Sequence, residues 1–238
     1  MTSLEGLQAL SGSQSGFGGD LRYGEEGAGA GLRGADKICA ELAEMSMPGA
    51  GAKGWHAFLS AYETSGGQVV TNVDAIDRVG DGPWYDRLGR LVASTKANLI
   101  ATRPVDADSA IINDLPNEWG VPNHRPDPTQ GQVDNHDTLT GSNSNGRLYS
   151  TTATCNGWTS VSTSSGKPRV GHSWPRSGGP GGGGGGGGDM NPAHWISSLN
   201  ESGCKAGINL IETGPPGNDG TVGSGGGYGG WYCFADIP

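Results

Sequence analysis

Gly230-Trp231-Tyr232-Cys233-Phe234-Ala235 closes the chain on a short apolar run. It follows the glycine-rich stretch 223–230 and reads as a terminal strand carrying a cysteine. Two tyrosine and tryptophan rings and a phenylalanine in six residues are strand-forming types that suit a half-buried sheet. The glycines before it allow close backbone packing or a bulge. A strand at the very end needs partners from far upstream, and the cysteines are the first place to look for them.

There are four cysteines, Cys39, Cys155, Cys204 and Cys233. Cys39 lies in Gly34-Ala35-Asp36-Lys37-Ile38-Cys39-Ala40-Glu41-Leu42-Ala43, where Ile38, Leu42 and Met45 recur at helical spacing. The helix is predicted over 34–46, and Pro48-Gly49 stops it. Cys155 opens Cys155-Asn156-Gly157-Trp158, and Cys204 follows a loop. Four cysteines allow three connectivities, and the residues alone leave them open. Four free thiols in a reducing compartment would be the plain alternative. A zinc site of the Cys-x-x-Cys type is not indicated, since no such pair occurs.

Hydrophobic residues make up 33% of the 238, and there are 46 glycines. A core drawn from so little apolar material is modest, and cross-links would help such a chain. The net charge of -9 argues against nucleic acid and anionic lipid surfaces, both of which call for clustered Lys and Arg. No stretch approaches the roughly 20 apolar residues of a membrane-spanning helix. Residues 1–10 lack the basic start and continuous apolar run of a signal peptide. If the protein is exported, either the signal lies upstream of this chain or its start is not the natural one.

Residues 1–17 read as a flexible Gly/Ser-rich linker, and 18–238 as a single domain with an edge strand at 18–25. Strands are expected over 55–61 and 69–73, a short helix or turn over 74–79, and a hairpin from Trp84-Tyr85 into Leu88-Gly89-Arg90-Leu91-Val92. Two stretches read as insertions. One, 101–138, is rich in Pro, Asp and Asn. The other, 164–192, holds the glycine run 181–188, expected to be flexible because fixing it is entropically costly. No strand precedes that run and no Gly-Lys-Ser/Thr follows, so it is not a phosphate-binding loop.

The ordered set of segments resembles the C-type lectin-like fold, most closely its endostatin-like bacterial relatives. It consists of the Cys39 helix, Trp55-His56-Ala57-Phe58-Leu59-Ser60, Asp74-Ala75-Ile76-Asp77-Arg78-Val79-Gly80, Gly82-Pro83-Trp84-Tyr85, Leu139-Thr140-Gly141-Ser142-Asn143, the Cys155–Trp158 step and Trp231-Tyr232-Cys233-Phe234. It covers roughly residues 30–235 outside the two insertions. The resemblance implies an α+β domain in which one or two helices flank a twisted, mostly antiparallel sheet with long loops. It also implies two disulfides, Cys39–Cys233 and Cys155–Cys204, with the chain ends close together. Disulfides in turn imply an oxidising compartment: extracellular, cell surface or periplasmic.

For function, the 101–138 stretch is the richest segment. Asp114, Asn117, Glu118, Asp134, Asn135 and Asp137 offer the hard oxygens that calcium takes in sets of six to eight. The resemblance also points to calcium held in a long loop. The alternative is a solvated loop whose Asx side chains only make turns. The family's sugar-binding tripeptide is not matched: Arg125-Pro126-Asp127 puts an arginine where a ligand should stand, and no Trp-Asn-Asp follows. Zinc held by His124 and His136 with Asp134 or Asp137 is a further option without supporting spacing. Trp119, Trp174 and Trp195 sit in or beside the insertions as candidate anchors for a partner or sugar ring. No Gly-x-Ser-x-Gly elbow or ordered triad is present, so an enzyme is not expected.

The expected function is an extracytoplasmic binding or adhesion module, calcium-stabilised, with a protein or glycan partner. Self-assembly as a structural subunit of a bacterial surface is the alternative, and a metal-dependent hydrolase is a third option.

Overall fold

The computed structural model describes residues 1–65, 68–124, 133–175, 193–211 and 217–236. The glycine run 181–188 and Arg125-Pro126-Asp127 lie outside them. The class is α+β, with few helices, small antiparallel or mixed sheets and two disulfides.

Helix α2, Ala30–Ser46, is the organising helix. Its buried stripe runs through Leu32, Ala35, Ile38, Cys39, Leu42 and Ala43. Met45, expected on that face, is 47% exposed, because the stripe is centred toward Cys39 and Leu42 and leaves Met45 beyond its edge. The helix lies against β1, Trp55–Ala57, which pairs antiparallel with β10, Cys233–Ala235. Asp36 fastens this contact. Its Oδ1 accepts from Ala57 N at 2.8 Å, and both of its oxygens accept from Arg78 Nη2 at 2.7 Å.

The predicted 55–61 strand is two strands, β1 and β2, Ala61–Ser65. The second pairs with β3, Gln68–Val73. Helix α3, Ala75–Arg78, follows, then the hairpin of β4, Trp84–Tyr85, and β5, Leu91–Ala93, and helix α4, Lys96–Leu99. The largest sheet has the order β8-β7-β6-β9. Its strands are β6, Asp137–Leu139; β7, Arg169–His172; β8, Leu199–Asn200; and β9, Gly227–Trp231. The pairing of β6 with β9 is parallel and the other two are antiparallel.

Three expectations need correcting. Residues 1–17, read as a linker, carry helix α1, Leu4–Ser11, capped by Ser3, whose Oγ accepts from Gly6 N. Leu7 is buried in the core, and Thr2 N donates to Trp231 O at 2.9 Å, so tertiary contacts override a composition poor in apolar residues. Residues 18–25 give only an isolated bridge, Asp20 to Thr159, rather than an edge strand. Both expected insertions contain a sheet strand: 101–138 runs into β6 and 164–192 contains β7. Strands of three or four residues, rich in polar residues and glycine, carry too little alternation to be recognised.

Cys39–Cys233 joins α2 to β10, and Cys155–Cys204 joins the turn at 155–158 to the loop after β8. That turn is left-handed throughout, with φ of 47° at Cys155, 58° at Asn156, 64° at Gly157 and 65° at Trp158. Trp158 is fully buried, and its Nε1 donates to Ser60 O at 2.8 Å. Two apolar clusters make the core. One gathers around α2, Trp158 and Trp231; the other around Phe58, Trp84, Trp195 and Phe234. Among the described residues no helix is long and apolar enough to cross a membrane.

Candidate functional site

The antiparallel register of β6 and β7 sets Asp137 opposite His172, so two ionisable side chains become direct cross-strand neighbours. A register shift between Asp137 and Thr138, in the pairing with β9, marks a local irregularity in that strand. The His136 and His172 rings meet edge to face with centroids 4.1 Å apart. Asp137 Oδ1 lies 3.0 Å from His172 Nε2 and 3.4 Å from His136 Nε2. On the other side of its ring, His136 Nδ1 lies 2.6 Å from Asp134 Oδ1. All four residues are buried, at most 2% exposed.

Glu201, also buried, completes the group. Its Oε2 accepts from Ser224 Oγ at 2.6 Å and from Gly225 N at 2.7 Å. Burial, and then the charge of Asp137, push the Glu201 carboxyl well above its ordinary range. Burial pushes Asp137 in the same direction. The charge of His136 and hydrogen bonds from His172 and Glu201 outweigh it, and Asp137 is held below its ordinary value.

The glycines before β9 make room for this group. A β carbon on Gly225 would stand 2.4 Å from Asp137 Oδ2, one on Gly226 2.3 Å from Asp134 Oδ1, and one on Gly227 2.7 Å from the Asp137 carbonyl. The stretch 223–230 thus serves the close backbone approach its composition suggests. Trp174 covers the outer side, with its ring 5.0 Å from His136 and 4.2 Å from His124.

The six expected calcium ligands do not act as one set. Asp114 Oδ1 accepts from His124 N at 2.9 Å. Asn117 Oδ1 closes its own turn by accepting from Trp119 N and Val121 N. Glu118 accepts from Ser3 N and Ser3 Oγ. Asn135 bonds Asn123 O through Nδ2 and accepts from Trp174 Nε1. Only Asp134 and Asp137 come together, and they do so around His136. Two imidazoles in the donor set favour a transition ion over calcium, which takes oxygens.

Of the three candidate tryptophans, Trp195 is a core residue whose Nε1 donates to Leu99 O. Trp174 is half-buried beside the histidines, and Trp119 is 44% exposed. The zinc option named His136 with Asp134 or Asp137 but joined them to His124. The structure supplies His172 instead. The dense run Asp134-Asn135-His136-Asp137 was the available signal; His172 and Glu201 had none, since only the sheet register brings them near.

A second feature is a cavity of about 230 Å³ between α2, the β4–β5 hairpin and residues 115–118. Leu42, Trp55, Trp84 and Phe234 line it, and Lys53, Asp86, Arg87 and Glu118 bring charge of both signs to it. Met47 and Tyr85, which also line it, are exposed apolar side chains. Leu88 and Trp119 extend the exposed surface. The hairpin turn and the 117–120 turn touch, since a β carbon on Gly120 would lie 2.7 Å from Leu88 Cγ.

No family model matches the chain, and no curated protein matches it significantly.

Proposed function

We propose that this chain is an exported, disulfide-stapled binding module of C-type lectin-like, endostatin-like architecture. Its apolar cavity takes an aromatic or aliphatic side chain from a segment of a partner protein. The observation that carries this reading is the cavity between α2 and the β4–β5 hairpin, with apolar walls, charges of both signs and a flank of exposed Met47, Tyr85, Leu88 and Trp119. A concave apolar site with a few placed polar groups is the usual form of a binding site, and exposed apolar surface of this kind marks an interaction face. A glycan is the weaker match, because its hydroxyls need polar side chains in the walls. The two disulfides support an oxidising compartment, extracellular or periplasmic. Calcium has no part in this reading.

The test is selection from a displayed random-peptide library against the oxidised protein. Enriched peptides should share one aromatic or aliphatic anchor flanked by charged residues. Their affinity should fall at least tenfold in Ala43→Phe, which fills the cavity from α2, while the unfolding midpoint stays near that of the parent. Binding that survives the filled cavity, or selection of peptides without an anchor, would count against the proposal.

A further inference from the structure

We infer that His136, Asp137 and His172 bind one divalent ion of the zinc class, in a buried site between β6 and β7. The site is separate from the cavity and does not depend on the partner-binding reading.

The first support is the donor geometry. One nitrogen from each ring and one oxygen of Asp137 all lie within 4.8 Å of one another. Zinc holds nitrogen and oxygen ligands at about 2.0–2.2 Å in a tetrahedral arrangement, so neighbouring donors stand about 3.4 Å apart. The oxygen of Asp137 stands 3.0 Å and 3.4 Å from the two Nε2 atoms, close to that separation.

The second support is the surrounding shell. Metal-bound histidines usually give their other ring N–H to a carboxylate, which fixes the tautomer and the ring. Asp134 Oδ1 stands 2.6 Å from His136 Nδ1 and meets that description. With an ion bound at Nε2, the His136 ring would carry its proton on Nδ1, toward Asp134. Three protein donors leave the fourth tetrahedral position to a small ligand, and burial of every donor keeps that position away from bulk water.

Because the site is buried, the ion is loaded by refolding the protein from urea with its disulfides intact, in the presence of zinc or cobalt(II). After desalting, elemental mass spectrometry should find about one zinc per chain. The cobalt form should show visible d–d bands without thiolate charge transfer. Zinc should raise the unfolding midpoint, and His172→Gln and Asp137→Asn should retain less than a tenth of the metal. His56→Gln, at a half-buried histidine paired with Asp36 and Asp236 away from the site, should retain it all. Wild-type protein that takes up no zinc and gives no cobalt bands would overturn the inference, whether or not the variants fold. Full retention of metal in both folded variants would overturn it too.

Discussion

Gly34 sits inside α2, where alanine would ordinarily favour the helix by about 1 kcal/mol. A β carbon there would stand 2.0 Å from Leu21 O and 2.1 Å from Arg22 O, backbone atoms that cannot swing aside. Overpacking therefore outweighs propensity, and Gly34→Ala should cost about 2 kcal/mol in urea unfolding. An unchanged midpoint would mean that the 21–22 segment yields freely. Asp106 gives a case with a pH dependence. The Ser94 hydroxyl, then the Asn98 amide and the Ser94 N–H, hold its carboxyl below the ordinary 3.8 against the opposing effect of burial. The folded state thus binds this proton less readily than the unfolded chain. The stabilisation is complete above pH 3.8 and is lost as pH falls through the lower folded value. Asp106→Asn should be about 1 kcal/mol less stable at pH 7 and should lose stability less steeply than the parent below pH 3.8. Parallel acid-unfolding curves for the two proteins would contradict this.

At the scale of elements, the two bridges stand on different footings. Cys39–Cys233 closes 194 residues and Cys155–Cys204 closes 49. Loop-closure entropy assigns each roughly 4–5 kcal/mol as an upper value, slightly more for the longer loop. A Cys39→Ala/Cys233→Ala variant should therefore unfold about 10 °C below the parent in calorimetry, with a smaller drop for Cys155→Ala/Cys204→Ala. The reverse ranking would mean that the left-handed turn at 155–158 relies on its bridge more than α2 relies on its own. The elements that could be read from sequence were those with local signals: α2 from its 3.6-residue spacing and the β4–β5 hairpin from its glycine turn. Helix α1 was hidden because a Gly/Ser-rich setting masked Ser3 as a cap and Leu7 as an anchor. Strands β6 and β7 were hidden because their residues are polar yet buried, an inversion that periodicity cannot detect. The disulfide pairing came from resemblance to a family and not from spacing. The candidate site was half visible, because Asp134, His136 and Asp137 are contiguous, while His172 and Glu201 join them only through strand order.

For the whole molecule, the parallel pairing of β6 with β9 has a consequence for the order of events during synthesis. Leu139 takes Trp231 as its partner, and Thr2 bonds to the same tryptophan. Both the middle and the beginning of the chain must wait for residues near its end. Contacts of such long sequence separation are slow to form, because the loop entropy is lost before the contact is gained. The main sheet therefore cannot close until β9 has been synthesised, however early β6 leaves the ribosome.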